Sequence, residues 1–585
     1  MQTTDKMLRP LFTAALLLLA SLNLQAAEQP SHAVIASAHP AATVAGLETL
    51  AAGGNAFDAA VAVSAALAVV EPYGSGLGGG GFFLLRQTGS NSTTYRFLDA
   101  RERAPLAATA QMYLRDGQPV ADLSLNGALA AAIPGLPAAL VELAEHYGRL
   151  PLRDSLTPAI RLATDGVSID AAYRERASWR LAALRANPES ARLFLTKGEI
   201  PGKYSLLRQP ELANSLELLA RYGRTGFYGG VAAKRLVAGV QAAGGIWSLR
   251  DLAEYRVIER PPLRFKLKDG RELISAPPPS AGGVALAQSL GILQQLPWRS
   301  AGKVQRSHLV VETLRRVYRD RGLLGDPDFV RNPLPQLLAP SYLQSLARSI
   351  DPQRATPSAS LPPAPAWKEG DHTTHFSILD GDGNAVAATL SINLPFGAAF
   401  AVPGTGVVLN NEMDDFAAAL NSSNAYGLTG SAANQIAAGK RPLSSMSPSF
   451  IDSPQAFAAF GTPGGSRIPS MVLLAMLGYL DGQPPSAWVA APRYHHQYLP
   501  DVIEYEPKAF SPAELSQLQQ RGHSLKAVER AYGNQQVLLW DKPSGAVEAA
   551  SDPRGLGLAS QLPVEFELLP AAAPRLKLQA SGTAP

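Results

Sequence analysis

The chain has 585 residues, of which 46% are hydrophobic and 17% are charged, and its formal net charge is +4. This composition is typical of a globular protein with several domain-sized cores. The basic residues are scattered and form no stripe that could follow a phosphate backbone, which argues against nucleic-acid binding. The sequence contains no cysteine, so disulfides, a cysteine nucleophile and thiolate-bound metal ions are excluded.

The N-terminus has the pattern of an export signal. Lys6 and Arg9 precede the apolar stretch Leu11–Leu22, which is too short to span a bilayer comfortably. Small residues then predict cleavage after Ala26, so residues 1–26 are interpreted as a signal peptide that directs the protein to the periplasm or beyond. The alternative is an uncleaved N-terminal anchor.

Helices are predicted through the first half of the chain. Asn55 can cap a helix, with Asp58 three residues later, and the apolar run Ala59–Val70 continues it. Amphipathic stretches fill residues 135–240, and Ser248-Leu-Arg-Asp251 is a second capping box. Further along, residues 351–371 are rich in proline, alanine and serine, which predicts a linker that ends just before Thr373.

A β-hairpin is predicted around Asp380-Gly-Asp-Gly-Asn384, because these residues favour tight turns and the flanking residues alternate with a period of two. Folding about Asp382 places Thr373 opposite Ser391, and a slip of one residue would break this pairing. The turn begins like a calcium loop, but Ala385 occupies the glycine position and the glutamate at the twelfth position is absent, so a hairpin is favoured.

The chain resembles the gamma-glutamyltransferase family from about Ala33 to about Ala559. The motifs that carry the resemblance are long, and they follow the family's order and spacing. In the second half they are Thr373-Thr-His-Phe-Ser377, Asp380-Gly-Asp-Gly-Asn-Ala-Val386, Asn410-Asn-Glu-Met-Asp-Asp-Phe416, Arg441-Pro-Leu-Ser-Ser-Met-Ser-Pro448 and Gly461-Thr-Pro-Gly-Gly-Ser-Arg467. The other landmarks are Gly53-Gly-Asn-Ala-Phe-Asp-Ala-Ala60, Leu77-Gly-Gly-Gly-Gly-Phe82, Ala100-Arg-Glu-Arg-Ala-Pro105, Pro277-Pro-Pro-Ser-Ala-Gly-Gly283 and Ala491-Pro-Arg-Tyr-His-His-Gln497.

The resemblance implies an α+β fold of the N-terminal-nucleophile type, in which two antiparallel sheets are stacked between helical layers. A threonine hydroxyl needs a base, and the free α-amino group of an N-terminal threonine, with an ordinary pKa of about 7.7–8.0, supplies one. Thr373 is internal, so the resemblance implies that its hydroxyl first attacks the His372 carbonyl and cuts the chain. The expected products are a large subunit, residues 27–372, and a small catalytic subunit, residues 373–585, which form a heterodimer.

The same resemblance assigns the remaining site residues. Ser391, where the family usually has threonine, would hydrogen-bond the nucleophile, and Gly464 and Gly465 would direct backbone N–H groups to the oxyanion. Tyr426 would belong to a lid loop that excludes water. The other assignments concern the two charged groups of a γ-glutamyl substrate: Asn393, Glu412 and Asp415 would surround the α-amino group, and Arg101, Ser444 and Ser445 would hold the α-carboxylate. No metal or organic cofactor is expected.

Taken singly, each assigned residue also fits an ordinary structural role, such as a surface ion pair for Arg101, a turn for Gly464 and Gly465, or an exposed loop for Tyr426. Only their joint occurrence in the family's order favours function.

The predicted activity is transfer of the γ-glutamyl group of glutathione, or of a related amide, to water or to an amino acid or peptide amine. One alternative is a glutaryl-cephalosporin acylase of the same fold, and another is an uncleaved exported binding protein. A third is a penicillin-binding serine enzyme built on Ser300-Ala-Gly-Lys303, although its companion motifs are absent. His495 and His496 lack a spaced carboxylate partner, so a structural role is favoured over metal binding.

Overall fold

The structure is a computed structural model that describes residues 29–90, 92–361, 373–417 and 431–562. The predicted signal peptide and the predicted lid residue Tyr426 lie outside these ranges. Within them, no helix is both long enough and apolar enough to cross a membrane.

Strands make up two large sheets and three small ones. They are β1 (Ala33–Ser37), β2 (Gly80–Thr88), β3 (Thr93–Ala100), β4 (Leu114–Arg115), β5 (Gln118–Pro119), β6 (Val167–Ser168), β7 (Leu206–Leu207), β8 (Ile258–Arg260), β9 (Leu263–Lys266), β10 (Glu272–Ser275), β11 (Thr373–Leu379), β12 (Ala385–Ser391), β13 (Ser449–Asp452), β14 (Ala456–Phe460), β15 (Tyr494–His495), β16 (Ile503–Tyr505), β17 (Leu525–Ala527), β18 (Gln536–Asp541), β19 (Val547–Ser551) and β20 (Leu558–Leu562). The first large sheet has the order β20-β1-β11-β12-β2-β3-β8, and the second has the order β19-β18-β14-β13-β10-β9.

Helices cover the outer faces of both sheets. They are α1 (Pro40–Ala51), α2 (Ala56–Val70), α3 (Asp122–Leu125), α4 (Leu136–His146), α5 (Leu152–Asp165), α6 (Ala171–Ala186), α7 (Pro188–Phe194), α8 (Pro210–Tyr222), α9 (Thr225–Tyr228), α10 (Gly230–Ala242), α11 (Leu249–Glu254), α12 (Gly282–Leu293), α13 (Lys303–Arg321), α14 (Leu334–Leu337), α15 (Pro340–Arg348), α16 (Ile468–Leu480), α17 (Pro485–Ala490) and α18 (Pro512–Gln520). Short 3₁₀ turns lie at Ala128–Ala130, Ser358–Ser360, Glu412–Asp415, Ala432–Asn434 and Gly465–Arg467.

Alternating side chains of the first sheet build two separate cores. On β2, Phe83 and Leu85 pack into the core formed with α1, α2 and α4. Their neighbours Phe82 and Leu84 pack into the core that contains β10, β13, β14 and β18 together with α12, α13 and α16. Since neighbouring strand residues point to opposite faces, the layers run helices, sheet, sheet, helices. The predicted α+β sandwich is confirmed.

The predicted hairpin is confirmed with its register. Strands β11 and β12 pair antiparallel, and Thr373 lies opposite Ser391. In the turn, the Asp380 carboxylate accepts hydrogen bonds from the N–H groups of Asp382 (3.0 Å) and Asn384 (2.8 Å). It also accepts one from the N–H of Ala56 at the start of α2, at 2.9 Å. The turn is therefore fixed to the helix behind it.

Capping explains why α2 and α11 begin where they do. The Asn55 side chain accepts hydrogen bonds from the first turn of α2, and Asp58 completes the predicted capping box. All residues of α2 are buried, so it is a core helix. Ser248 and Asp251 form the second predicted box at α11.

The first part of the predicted linker is a fixed loop in the structure. The Ser358 N–H donates to Asp501 at 2.7 Å, and its hydroxyl donates to the Tyr498 carbonyl at 2.6 Å. The charged side chains beneath it form a group that we name the loop anchor. Its members are the buried residues Glu312, Arg315 and Arg316 and the partly exposed Asp501. The remainder of the predicted linker, residues 362–371, lies outside the described ranges.

Candidate active site

Thr373 lies at one end of the first sheet, in a row of residues that crosses three strands. It pairs with Ser391, and Ser391 pairs with Gly80 on β2. The residue after Gly80 on β2 is Gly81, which pairs with Ala100 on β3. Arg101 follows Ala100, so it lies at the same end of the strands as Thr373. At a strand spacing of about 4.8 Å, the backbone of Arg101 lies about 14 Å from that of Thr373. The topology thus gathers segments that are far apart in sequence.

Asn393 connects this row to the loop that follows β12. Its N–H donates to the Ser391 hydroxyl at 2.8 Å, and its side-chain amide donates to the Asn411 carbonyl at 3.0 Å. Asn393 has a φ of 71°, in the left-handed region that asparagine tolerates better than most residues. This turn directs the chain away from the sheet just after Ser391.

Asn410 fixes the segment that carries the predicted acidic residues. Its side-chain oxygen accepts hydrogen bonds from the N–H groups of Glu412 (2.9 Å) and Ala132 (3.0 Å). Its amide donates to the Gly78 carbonyl at 2.7 Å. Glu412 is therefore held against the glycine-rich entry to β2.

Arg101 and three carboxylates form a buried cluster, which we name the acid pocket. Its guanidinium lies 2.5 Å from Asp415, 3.0 Å from Glu412 and 3.5 Å from Glu102. Arg101 is 1% exposed, and Glu102 and Glu412 are fully buried. Both carboxylate oxygens of Glu102 and of Glu412 accept no well-formed hydrogen bond within the part of the chain that the structure describes.

Burial dominates the titration of the acid pocket. It raises the pKa of Glu102 to about 7, with the Arg101 charge opposing the change. Burial also raises the pKa of Glu412 well above its ordinary value, and again Arg101 opposes it only in part. The single guanidinium offsets only part of the cost of burying the Glu102 and Glu412 carboxylates. The pocket therefore has an unmet requirement for positive charge.

Ser444 and Ser445 lie beside the acid pocket on a segment held by many backbone contacts. The Arg101 Nε donates to the Pro442 carbonyl at 3.2 Å, which places this segment next to the guanidinium. The Ser444 N–H donates to the Pro279 carbonyl at 2.8 Å. The Ser445 hydroxyl accepts from Arg321 at 3.0 Å.

Gly464 and Thr373 line a common cavity of about 460 Å³. Gly464 has a φ of 137° and Gly465 has a φ of 55°, so both adopt conformations that favour glycine. A side chain at Gly464 would also meet the end of Met471. The glycine pair thus forms a turn that other residues would strain, on the wall of the cavity that Thr373 also lines.

Two residues near Thr373 could not be predicted from the sequence. Glu71 and Tyr73 line the same cavity as Thr373, and Glu71 accepts a hydrogen bond from the Thr374 hydroxyl at 2.8 Å. Burial raises the pKa of Glu71. The available signal was an acidic residue at the end of the apolar run of α2, but it did not indicate which strand the carboxylate would face.

The alternative sites of the sequence analysis do not assemble. Ser300 donates to the Pro297 carbonyl, whereas Lys303 pairs with Glu514 at 2.9 Å. His495 contacts Ser470 at 2.8 Å, and His496 contacts Asp501 at 3.1 Å. Each of these side chains therefore has a structural partner.

The fold and the threonine at the strand end define the class of N-terminal-nucleophile enzymes. A family model described as gamma-glutamyltranspeptidase matches residues 42–562. The chain belongs to this family.

Curated relatives cover nearly the whole chain. A protein named glutathione hydrolase proenzyme from Pseudomonas sp. (strain A14) is 39% identical over 563 residues, which cover 92% of this chain and 96% of that protein. A protein of the same name from Escherichia coli (strain K12) is also 39% identical, over 89% of this chain and 90% of that protein.

Solved structures are similar as well. A cephalosporin acylase from Bacillus halodurans aligns with a TM-score of 0.79 at 26% identity, covering 92% of this chain and 97% of that chain. A gamma-glutamyltranspeptidase from Helicobacter pylori aligns with a TM-score of 0.54 at 35% identity, covering 56% of this chain and 94% of that chain.

Proposed function

We propose that the protein is a self-processing gamma-glutamyltransferase and glutathione hydrolase that works in the periplasm. The observation that carries this proposal is the position of Thr373 between the glycine turn at Gly464 and the segment leading to the acid pocket. The names of the curated relatives support the substrate, and the name proenzyme supports processing.

The first step is cleavage before Thr373. The Thr373 hydroxyl attacks the His372 carbonyl, the peptide nitrogen leaves as the α-amino group of Thr373, and water opens the resulting ester. The two products, residues 27–372 and 373–585, remain together as a heterodimer. Interleaving of their strands supports this, because β1 of the large subunit lies between β20 and β11 of the small one.

The enzymatic reaction uses the new N-terminus. The α-amino group of Thr373 takes the hydroxyl proton as the oxygen attacks the γ-carbonyl, and it then protonates the departing amine. Backbone N–H groups at Gly464 and Gly465 stabilise the oxyanion, while the Ser391 hydroxyl orients the nucleophile. Water or a second amine then attacks the γ-glutamyl ester and releases Thr373.

The acid pocket recognises the two charges of the γ-glutamyl group. Glu412, Asp415 and Asn393 surround the α-ammonium, which supplies the positive charge that the pocket needs. Arg101 binds the α-carboxylate with Ser444 and Ser445, exchanging part of its contact with Asp415 for the substrate. The assignment of Tyr426 to a lid loop stays a prediction, because this residue lies outside the described ranges.

The acid pocket also helps to decide between a γ-glutamyl enzyme and an acylase. The acylase alternative is supported by the structural similarity to the cephalosporin acylase. A glutaryl group has the same length as a γ-glutamyl group but lacks the ammonium. It would leave the buried carboxylates without the substrate ammonium, so it would bring a net negative charge where the γ-glutamyl group brings none. The geometry therefore favours γ-glutamyl substrates.

Two measurements test the proposal. Intact mass should give two fragments that break before Thr373 in the wild-type protein and one uncut chain in Thr373→Ala. The wild type should then hydrolyse γ-glutamyl-p-nitroanilide at least about 100-fold faster than glutaryl-p-nitroanilide, since the site rejects the analogue that lacks a recognised polar group.

An uncut wild-type chain without turnover would instead support a binding protein, and a preference for the glutaryl anilide would support an acylase. Export is tested separately, because the large fragment recovered from the periplasm should begin at Ala27.

A further inference from the structure

Glu71 is a buried carboxylate just after α2, on the wall of the cavity of about 460 Å³ that Thr373 also lines. Its residue is 7% exposed. The carboxylate accepts a hydrogen bond from the Thr374 hydroxyl at 2.8 Å and another from the Tyr73 hydroxyl at 3.3 Å. Both donors are neutral groups, so they hold the carboxylate in place without neutralising its charge.

The other charged groups around this cavity have counter-ions. Three pairs account for them: Arg176 with Glu175 at 2.8 Å, Arg554 with Glu506 at 2.7 Å, and His39 with Asp170 at 3.7 Å. Glu71, by contrast, has no cation within 4.0 Å in the part of the chain that the structure describes. Burial raises the pKa of Glu71, and His39 opposes this only in part. The cavity wall therefore carries one carboxylate that lacks a cationic partner.

The backbone nitrogen of Thr373 lies within electrostatic range of this carboxylate. Thr374 follows Thr373 directly, so covalent geometry places the Thr374 hydroxyl at most about 7 Å from that nitrogen. The hydrogen bond of 2.8 Å from this hydroxyl to Glu71 then places the carboxylate at most about 10 Å from the nitrogen. At an effective dielectric constant of about 20, a unit charge at about 10 Å changes a pKa by about one.

Cleavage before Thr373 would supply the cation that Glu71 lacks. Breaking this bond converts the amide nitrogen into an α-amino group, whose ordinary pKa is about 7.7–8.0. A nearby carboxylate stabilises the ammonium form and raises the pKa of the amine. The amine has to be neutral, however, before it can take the hydroxyl proton. The charge of Glu71 would therefore delay activation of the nucleophile to a higher pH.

We propose that Glu71 is the counter-charge of the Thr373 α-ammonium and that it sets the pH above which the nucleophile is active. It also fixes the end of β11 through the Thr374 hydroxyl, so it is a positioning residue rather than a catalytic one. The inference rests on the proposed function for the free α-amino group. Below that pH an ammonium faces the carboxylate and Thr373 is inactive, whereas above it the amine is neutral and Thr373 can react.

The test is the pH dependence of kcat/KM for γ-glutamyl-p-nitroanilide, whose acidic limb reports the base of the free enzyme. In Glu71→Gln this limb should move about one pH unit toward acid, because a neutral amide does not stabilise the ammonium. The value at high pH should stay within about threefold of the wild type, since glutamine keeps the shape and the acceptor oxygen. Glu142→Gln is the matched control. It removes one carboxylate from α4, outside the cavity, and should leave the limb in place.

Two further variants separate the charge of Glu71 from its hydrogen bond. Thr374→Val keeps the charge but removes the bond to β11, and Glu71→Asp keeps the charge on a shorter side chain. In both, the limb should stay within about 0.3 pH unit of the wild type, even where the rate falls because the strand end is less well held. No shift in Glu71→Gln, or an equal shift in Glu71→Gln and Thr374→Val, would overturn the inference.

Reductive methylation separates this inference from the proposed function. A trace of formaldehyde with cyanoborohydride methylates only the neutral amine, so its rate at the N-terminal peptide of the small fragment follows the pKa of the Thr373 amine without turnover. Peptide mass analysis should show the same difference of about one pH unit between the wild type and Glu71→Gln. A cut chain that does not hydrolyse the anilide would count against the proposed function alone. An uncut chain would overturn both, because no α-ammonium would form.

Discussion

The acid pocket and the loop anchor are two charged clusters built on buried arginines, and they differ in their balance of charge. In the acid pocket, one guanidinium contacts three carboxylates. In the loop anchor, Arg315 and Arg316 face two carboxylates, Glu312 and Asp501. The three arginines are similarly buried, at 0–2% exposure, so burial alone does not distinguish the two clusters.

The pKa values of the carboxylates distinguish the acid pocket from the loop anchor. Burial raises the pKa of Glu102 to about 7 and that of Glu412 well above its usual range. Burial acts in the same direction on Glu312, but Arg315 and Arg316 reverse it and the pKa falls. The pKa of Asp501 is also lowered, because His496, Ser358 and Arg315 outweigh burial. A cluster that is short of positive charge suits a cationic substrate, whereas a neutral one suits the support of a loop.

The largest expected effect comes from removing the cation of the acid pocket. Arg101→Met leaves three buried carboxylates without a counter-charge and removes the proposed partner of the substrate carboxylate. We expect kcat/KM for γ-glutamyl-p-nitroanilide to fall by a factor of about 10²–10³, because truncating one partner of a buried charge pair costs about 2–5 kcal/mol of binding. Steady-state kinetics on the cleaved protein measures this. A fall of less than about threefold would contradict the assigned role.

An arginine-to-methionine substitution in the loop anchor should lower the stability of the protein but not its activity. Arg316→Met leaves Glu312 partly unpaired, so we expect the free energy of unfolding to fall by about 3 kcal/mol. Denaturant unfolding measures this change. Well below the unfolding midpoint, kcat/KM should stay within about twofold of the wild type. A large kinetic defect in the folded variant would show that the anchor is not merely structural.

The contributions of the two clusters to folding stability should depend on pH in opposite directions. The folded-state pKa of Glu102, about 7, lies above its ordinary value of 4.5, so the folded protein binds this proton more tightly. Its contribution to stability is present below pH 4.5 and is lost as the pH rises to about 7. Glu102→Gln should therefore lose less stability than the wild type between pH 5 and pH 8, as measured by denaturant unfolding.

Asp501 provides the contrasting case. Its folded-state pKa lies below the ordinary value, so its contribution is present at neutral pH and is lost as the pH falls below about 4. Asp501→Asn should therefore flatten the loss of stability on acidification. Equal slopes for the wild type and Glu102→Gln above pH 5 would contradict the charge imbalance assigned to the acid pocket.

The smallest effect is expected at Ser391, which lies on the strand between those of Thr373 and Gly80. Ser391→Thr keeps the hydroxyl and adds a methyl group that restricts χ1 on the strand. Cleavage before Thr373 should become about two- to threefold faster if the hydroxyl is better oriented, as followed by intact mass over time. Ser391→Ala is the control, and its cleavage before Thr373 should be much slower than that of the wild type or of Ser391→Thr.

Local chemistry made part of this structure predictable. The hairpin followed from five turn residues and alternating side chains, and α2 and α11 followed from their capping boxes. Thr373 opposite Ser391 was obtained by counting from Asp382, because strand register is set by the turn. In these places the determining residues are close together in the sequence.

Other features depended on distant residues. Composition predicted that residues 351–371 form a linker, yet Ser358 is held by Asp501, 143 residues away. The shortage of positive charge in the acid pocket arises because Arg101 meets Asp415 across 314 residues. Nothing in the sequence near Arg101 indicates how many carboxylates will share it, so the sequence offered candidate site residues but not their electrostatic balance.

The interleaved order of the first sheet has a consequence for the proposed heterodimer. Removing the large subunit would leave β20 without its neighbour and expose the edges of both β11 and β12, while the second sheet would lose β9 and β10. Exchange of subunits between molecules would therefore require nearly complete unfolding of both. Under the proposed processing, each enzyme would keep for its lifetime the two chains that were synthesised as one, and translation rather than an association equilibrium would fix their stoichiometry.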